Sequence, residues 1–251
     1  MRAVVRTPGA SLARCLLTHR VRDTIDVARA CAQHRAYVET LESLGCSVAC
    51  LPPADDLPDA VFVEDTVVVL PEVAVVTRPG HPSRRPEVEA VASVLAPHRR
   101  LVRMQAPATL DGGDVLRVGR DLFVGRSTRT NDEGVRTLAA TVEPLGYRVR
   151  DVELRDALHL KTAATAPSEG CLLLNPDWVD QRDFPGIECL EVDPAEPFGG
   201  CVLPLAGRVL VPASAPRTGA VLSRAGYATQ ALDISEFEKA EAGLTCLSVL
   251  F

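Results

Sequence analysis

The feature that most constrains the fold is a near-constant spacing of polar or thiol residues beside apolar, strand-like runs. The runs are VFVEDTVVVL, LDGGDVLRVG, LHLKTAAT, GGCVLPLAG and LTCLSVLF. With Glu64, Asp111, His159, Cys201 and Cys246 as reference positions, the successive steps are 47, 48, 42 and 45 residues. Repetition at a fixed period indicates a repeat architecture. The spacing therefore predicts a five-bladed α/β propeller whose reference positions face one central axis.

Short strands and four helices are predicted between these positions. Strand-like runs cover 2–6, 46–51, 61–70, 73–78, 114–119, 121–125, 147–154, 170–175 and 208–213, with a hairpin turn at 119–121. Helical apolar spacing covers 23–45, 85–98, 130–146 and 216–226, and Asp23 is the expected N-cap of the first helix, with Gly45 ending it. No linker divides the chain, so one catalytic domain over 1–251 is expected.

Composition narrows the class of protein. The chain has 251 residues, 47% of them apolar, and a net charge of −6. Its one concentrated basic stretch, at 78–87, is short and broken by prolines, so nucleic acid is not expected as a partner. Its apolar runs are too short for a signal peptide or a membrane span, which predicts a cytoplasmic protein with no membrane partner. We expect a monomer or a homodimer.

The eight cysteines are expected to be reduced thiols, because disulfides are rare in the cytoplasm. Cys46 and Cys50 lie four residues apart, but no second pair or nearby histidine completes a zinc site, so we predict no structural metal. Cys246 differs from the others. A buried thiol is more often a packing residue than a nucleophile, but the repeat brings Cys246 the partners that a nucleophile requires.

A histidine and carboxylates occupy other reference positions. His159 lies in ALHLKTA, which is expected to form a strand, and histidine transfers protons readily at neutral pH. Asp111 begins DGGD, where the glycines would allow the backbone to approach a ligand closely. A thiolate, an imidazole and a carboxylate that are adjacent in space but distant in sequence are typical of a cysteine nucleophile site.

The charges around these positions indicate the substrate class. Glu64 and Asp65 lie in one apolar run, where strand alternation would send them to opposite faces and let one reach the centre. Buried carboxylates are costly unless a cation, such as a guanidinium, offsets them. Arg84 and Arg129 follow strands nearby, and a guanidinium fork suits a ligand carboxylate. A ligand with a guanidinium at one end and a carboxylate at the other is an arginine derivative.

Five stretches resemble dimethylarginine dimethylaminohydrolases, members of the pentein, or guanidino-group-modifying, superfamily. They are PDAVFVEDTVVVL, TRPGHPSRR, ATLDGGDVLRVGRDLFVGRSTRTNDEG, LHLK and EKAEAGLTCLSVL. The resemblance is strongest over 58–134, around 159 and over 236–249, and weak over 165–235. It implies a five-bladed α/β propeller that hydrolyses N-omega-methylated arginines to citrulline and dimethylamine or methylamine, without metal or cofactor.

The resemblance also implies a role for each matching residue. Cys246 would be the nucleophile, His159 the general acid and base, and Asp111 the group that orients the histidine. The other roles are substrate contacts: Asp65 and Glu64 with the guanidinium, Arg84 and Arg129 with the α-carboxylate, Asp59 and the backbone of Leu17 with the α-amine, and the backbone of Ala240. Ala240 replaces the larger aliphatic residue that is common in the family.

Two alternative functions stay open at this point. An arginine deiminase would release ammonia, but such enzymes usually carry a helical insertion for which this chain has no room. Amidinotransferases are typically longer, and peptidylarginine deiminases require flanking domains. A non-catalytic module that binds arginine derivatives would not require the cysteine, histidine and carboxylate set.

Overall fold

Five small sheets of three strands each make up the structure, a computed structural model that describes residues 1–251. The strands are β1 (Arg2–Arg6), β2 (Ser47–Leu51), β3 (Val67–Val69), β4 (Val73–Val76), β5 (Arg100–Arg103), β6 (Val115–Val118), β7 (Asp121–Gly125), β8 (Arg148–Val152), β9 (Ala164–Ser168), β10 (Cys171–Leu174), β11 (Glu188–Glu191), β12 (Leu203–Leu205), β13 (Arg208–Pro212), β14 (Ala228–Leu232) and β15 (Val249–Leu250). The helices are α1 (Val27–Ser43), α2 (Val88–Leu95), α3 (Asp132–Val142), α4 (Leu160–Ala163), α5 (Pro216–Arg224) and α6 (Ser235–Glu238).

Each sheet, or blade, repeats one topology. An inner strand pairs antiparallel with a middle strand, which pairs parallel with an outer strand. The blades are β15-β1-β2, β3-β4-β5, β6-β7-β8, β9-β10-β11 and β12-β13-β14. A parallel pair requires a crossover, which α1, α2, α3 and α5 supply, whereas β9-β10-β11 uses the 3-10 turn Gln181–Asp183. The predicted five-bladed α/β propeller is confirmed.

The middle strands are buried on both faces. All four residues of β4 (VAVV) and of β10 (CLLL) are buried, whereas the ends of the outer strand β5 (RLVR) are exposed. A strand that is covered on both faces has no polar side, which explains why these strands read as unbroken apolar runs. No helix combines the length and the apolar character that crossing a bilayer requires.

The two ends of the chain complete the first blade. β1 pairs with β15 through Ala3 with Leu250 and Val4 with Val249. The Arg2 N–H donates to the Phe251 carbonyl at 2.7 Å, and the Phe251 N–H donates to the Arg2 carbonyl at 2.9 Å. Because β15 follows directly after 245–247, the first residues of the chain fix the segment that carries Cys246.

Four of the five reference positions lie in or beside a short helical turn that leads into an inner strand. Glu64 lies in the 3-10 turn Val63–Thr66, Asp111 precedes Gly112–Asp114, His159 precedes α4, and Cys246 lies in Thr245–Leu247. The strand predicted over 61–70 is therefore wrong in its first half, and the strand predicted over ALHLKTA, 157–163, is wrong throughout, because β9 begins only at Ala164. A 3-10 turn spaces successive side chains by about 120°. Adjacent Glu64 and Asp65 can thus both contact other blades, which strict strand alternation would prevent.

The first helix begins later than predicted. The Asp26 carboxylate accepts the Arg29 N–H at 3.0 Å and caps α1, whereas Asp23 accepts the N–H of its neighbour Thr24 at 2.7 Å. The prediction of Asp23 as the cap is wrong, because Asp26 lies three residues before the amide that requires a partner. Gly45, with φ +87°, follows the helix as predicted.

Candidate active site

A cavity of about 20 Å³ lies at the hub, the region where the inner strands and the turns before them meet. Seven of the ten predicted site residues line it. They are Asp59, Asp65, Arg84, Arg129, His159, Ala240 and Cys246. These residues come from five different segments of the chain, and the propeller topology brings them to one place.

His159 is held between carboxylates. Its Nε2 lies 3.1 Å from Asp111 Oδ2, and its Nδ1 lies 3.7 Å from Asp65 Oδ1, with all three side chains buried. Burial disfavours the imidazolium, but the carboxylates of Asp65, Asp114 and Asp111 outweigh it and raise the pKa of His159 to about 9. At neutral pH the ring is therefore protonated and able to donate a proton.

Gly113 allows this close arrangement. A Cβ at this position would lie 2.6 Å from Asp65 Oδ1 and 2.8 Å from His159 Nδ1, so only glycine fits. The Gly113 N–H also donates to Asp65 Oδ1 at 3.0 Å. The glycines of DGGD were predicted to let the backbone approach a ligand; instead, Gly113 approaches the catalytic side chains themselves.

Asp114 connects the histidine to the loop that carries Arg129. Its Oδ1 accepts the Leu160 N–H at 3.1 Å, and its Oδ2 accepts the hydroxyl of Thr130 at 2.6 Å and that of Ser127. Burial raises the pKa of Asp114 to about 6 in spite of the nearby His159. Leu160, which follows His159, and Thr130, which follows Arg129, therefore bond the same buried carboxyl of Asp114.

Cys246 lies beside a second thiol. The Gly243 N–H donates to Cys246 Sγ at 3.4 Å, and buried Cys201 Sγ lies 3.4 Å from Thr245 Oγ1. A hydrogen bond with Cys201, burial, and the charges of Glu64 and Asp65 together raise the pKa of the Cys246 thiol. All five reference positions thus meet at the hub, and the repeat identified Cys201 without indicating its role.

Arg84 is held almost entirely by protein groups. Nη1 donates to Asp65 Oδ2 at 2.6 Å, Nε and Nη2 donate to Glu87, and Nη2 also donates to the carbonyls of Asp59 and Phe62. A guanidinium has five N–H groups, so one Nη1 hydrogen remains without an acceptor. Burial would raise the pKa of Asp65, but His159, Arg84 and the Gly113 N–H lower it to about 2.

Arg129 is far less committed. Nη1 lies 4.0 Å from Asp111 Oδ2, and Nη2 donates to Thr18 Oγ1 at 3.4 Å. Asp59 likewise uses one oxygen, Oδ1, to accept the Leu16 N–H at 3.0 Å. Arg129 and Asp59 are buried charges that line the cavity with hydrogen-bonding capacity to spare.

One cluster has the spacing of a metal site. Ligand atoms of Asp65, Asp111 and His159 all lie within 4.8 Å of one another. The same atoms hold a protonated imidazole, and Arg84 pairs with Asp65 at 2.6 Å. A ring that carries both protons has no lone pair for a metal, so the donor set fits an imidazolium between carboxylates better than a cation site.

A family model described as "N,N dimethylarginine dimethylhydrolase, eukaryotic" matches residues 18–167. The N(G),N(G)-dimethylarginine dimethylaminohydrolase of Streptomyces coelicolor is 44% identical over 99% of this chain and 96% of its own length. This chain belongs to the dimethylarginine dimethylaminohydrolase family. The protein of that name from Pseudomonas aeruginosa is 34% identical over 99% of this chain and 98% of its own. Its solved structure, a cysteine-to-serine variant in complex with citrulline, aligns with a TM-score of 0.92 at 33% identity, covering 100% of this chain and 98% of that one.

Glu64 and Leu17 are the two predicted substrate contacts that do not line the cavity containing Cys246. Glu64 accepts from Lys161 Nζ at 2.7 Å and from Thr245 Oγ1 at 2.7 Å, and it lines a separate cavity of about 240 Å³. Leu16, not its neighbour Leu17, lines the cavity that contains Cys246. The register of this loop, which has no regular secondary structure, could not be read from apolar spacing.

Sequence reasoning missed several residues of the dimethylarginine dimethylaminohydrolase site. They are Leu16, Glu87, Lys161 and Glu241. Glu87 lies three residues after Arg84, a spacing that places both on one side of a helical turn, whereas Lys161, two residues after His159, has no such signal. Glu241 had no comparable signal, because its partners lie more than two hundred residues away.

Proposed function

We propose that this protein hydrolyses N-omega-methylated arginines, asymmetric dimethylarginine or monomethylarginine, to citrulline and dimethylamine or methylamine. One observation carries the proposal: a thiol, an imidazolium between carboxylates and an uncommitted arginine line one buried cavity. A binding module would require the charges but not the thiol beside a proton donor. The enzymes of this name in Streptomyces and Pseudomonas support the same assignment.

The charges fix the orientation of the substrate. Arg129 supplies a buried cation for the α-carboxylate, and the spare Nη1 hydrogen of Arg84 adds one donor. The second oxygen of Asp59 accepts the α-ammonium. The other end, the methylated guanidinium, lies against Asp65 between His159 and Cys246. Glu64 acts on this cation only through its charge, because both of its oxygens have protein partners.

The reaction then proceeds in two steps. Binding of the cationic guanidinium lowers the pKa of the Cys246 thiol, which loses its proton to solvent. The thiolate attacks the guanidinium carbon, His159 protonates the methylated nitrogen, and the C–N bond breaks, releasing the amine and leaving an S-alkylthiouronium. His159, now neutral, removes a proton from water, and the hydroxide attacks the same carbon. The hydroxyl proton of this tetrahedral intermediate passes to the sulfur as the C–S bond breaks, which releases citrulline and regenerates the Cys246 thiol.

The assay that tests this proposal measures three products. The protein is incubated separately with asymmetric dimethylarginine and with arginine, and citrulline, dimethylamine and ammonia are quantified. Citrulline with equimolar dimethylamine is the expected result. Ammonia from arginine at a higher kcat/KM would replace the proposal with the arginine deiminase reaction, and binding without product would indicate a non-catalytic module.

Replacing Arg129 by glutamine is expected to raise KM for dimethylarginine by roughly 10- to 100-fold with a smaller change in kcat. The reason is that the buried cation binds the α-carboxylate, which does not react. This contact stabilises the enzyme–substrate complex and the transition state equally. Steady-state kinetics checks this. Arg126→Gln is the matched control, because Arg126 lies on the same loop but pairs at the surface with Asp132 and Asp151. Equal KM values for the two variants would contradict the role.

Replacing Arg84 by methionine is expected to lower the free energy of unfolding by roughly 3–5 kcal/mol, because it removes the ion-pair partner of buried Glu87 and the closer of the two cations beside buried Asp65. The two carboxylates are almost inaccessible, and Arg84 bonds both of them. Urea titration measures the change. Arg103→Met is the control, since its pair with Glu89 is exposed and contributes less than about 1 kcal/mol. A loss of activity at unchanged stability would instead make Arg84 a substrate contact alone.

We also propose that residues 1–251 form one catalytic domain. Each blade contributes a reference residue to the hub, so no subset of blades would carry the whole site. Monomer or homodimer, and a cytoplasmic location, stay predictions.

A further inference from the structure

We propose that Glu241 is a latch that holds a lid loop, residues 15–22, closed over the active site and thereby controls access of the substrate. The inference rests on the proposed function for the identity of the substrate. The contacts that carry it do not depend on the reaction. Glu241 acts through the loop and is therefore a positioning residue.

One carboxylate captures three consecutive backbone amides. The Thr18 N–H donates to Glu241 Oε2 at 2.9 Å, and the His19 N–H donates to Oε1 at 2.6 Å. The Arg20 N–H also donates to Oε1. Glu241 is buried, with 6% of the residue exposed. Neither the segment around Glu241 nor the loop that it contacts has regular secondary structure. A buried carboxylate that accepts three N–H groups is a strong, charge-assisted clasp.

The loop that Glu241 holds forms one wall of the site. Leu16 lines the cavity, and its N–H donates to Asp59 Oδ1 at 3.0 Å. Thr18 Oγ1 accepts from Arg129 at 3.4 Å, so the loop also contacts the side chain proposed to bind the α-carboxylate. Beyond the latch, the Arg20 guanidinium lies 4.2 Å from the centre of the Phe198 ring.

The closed loop leaves too little space for a substrate. A cavity of about 20 Å³ holds one or two water molecules and cannot hold an amino acid with a methylated guanidinium. The substrate must therefore displace a wall. The lid loop has no strand pairing, and seven of its eight residues are at least partly exposed, whereas the side chains of Asp59, Arg84 and His159 in the other walls are buried. Opening the loop requires release of the three amides from Glu241.

The backbone of Glu241 indicates that the position is selected for its side chain. Its φ is +60°, a left-handed conformation that disfavours residues other than glycine, asparagine and aspartate. Its neighbours Ala240 and Ala242 both line the cavity, and Cys246 follows five residues later. The hydrogen bonds from the three backbone amides offset the cost of this backbone conformation. The latch thereby joins the lid loop to the segment that carries the nucleophile.

Limited proteolysis tests the latch independently of catalysis. Trypsin cleavage after Arg14, Arg20 and Arg22, mapped by mass spectrometry on the native protein, is expected to be at least tenfold faster in Glu241→Gln and Glu241→Gly than in wild type. Glu238→Gln is the control, because Glu238 lies in the same segment but accepts only from Ser214.

Glu241→Gly separates a latch from a simple turn residue. Glycine adopts a φ of +60° without cost, so a residue that served only the turn would be replaced without effect. The latch predicts fast cleavage of the Gly variant and a KM for dimethylarginine raised about tenfold. Wild-type cleavage rates in both Glu241 variants would overturn the inference. Absence of methylarginine hydrolysis in wild type would overturn the proposed function while leaving the proteolysis result interpretable.

Discussion

Cys246→Ser is expected to lower kcat for dimethylarginine by a factor on the order of 10⁴ or more, because removal of a nucleophile eliminates the covalent route. The substitution is nearly isosteric, and the sulfur that it replaces bonds only the Gly243 N–H, at 3.4 Å, and the Cys201 thiol, so the fold should persist. Citrulline release measures the effect. In wild type, acid quenching during turnover should leave the thiouronium adduct on the peptide that contains Cys246.

Cys189→Ser is the matched control for this prediction. Cys189 is a half-buried thiol on the outer strand β11, remote from the hub, and bonds only the Ile187 carbonyl at 3.7 Å. Its activity should stay within twofold of wild type. Turnover by Cys246→Ser within 100-fold of wild type would exclude Cys246 as the nucleophile, as would an adduct on another cysteine.

His159→Gln is expected to lower kcat by a factor on the order of 10³, the usual contribution of a positioned acid and base. The imidazolium is the form that donates a proton to the leaving amine. Since the pKa of His159 is raised to about 9, wild-type activity should fall as the pH rises through that value. The Gln variant should lose this alkaline decline, which pH profiles of kcat/KM would reveal.

The same raised pKa makes a stability prediction. The imidazolium contributes stability that is fully present below its unfolded pKa of about 6.5 and is lost as the pH rises towards about 9. The free energy of unfolding of wild type relative to His159→Gln should therefore decline between these values. Leu138→Val, a change in a buried apolar residue far from any titrating group, provides a pH-independent control. A pH-independent difference for His159→Gln would mean that Asp111 and Asp65 do not hold the protonated ring.

The repeat spacing was sufficient to predict the architecture and the central residues. Every blade must bury its apolar strands against its neighbours, so the pattern recurs at a nearly fixed interval, and that interval survives in the sequence. Glu64, Asp111, His159, Cys201 and Cys246 were found in this way, and all meet at the hub. The arginine-derivative substrate class followed from their charges and from the two arginines.

The local geometry at the reference positions could not be predicted from the same pattern. VFVED read as a strand because valine and phenylalanine favour extended backbone, and ALHLKTA because its apolar residues alternate with others, yet both segments contain a helical turn. What overrides the propensity is a set of contacts between blades, such as the bond from Gly113 N–H to Asp65. A local apolar pattern contains no information about such partners.

Tertiary contacts also decided that Glu64 and Asp65 have different partners and face different cavities. Both are acidic and adjacent, and the sequence treats them alike. Lys161 and Thr245 draw Glu64 to a second cavity, whereas Arg84 and His159 draw Asp65 towards the nucleophile. Glu241 is a further case, since a carboxylate in an irregular segment acquires its role only from the loop opposite it.

By itself, the sequence determined the five-bladed fold, the family and the set of residues that meet at the hub, because periodic burial and residue type are properties of each position. Only the tertiary structure decided which carboxylate pairs with which cation and that the His159 ring is protonated. It alone also indicated the loop that forms the movable wall of the cavity. Those outcomes depend on distances of a few ångströms between segments far apart in the chain, and electrostatic and hydrogen-bond energies change steeply over such distances.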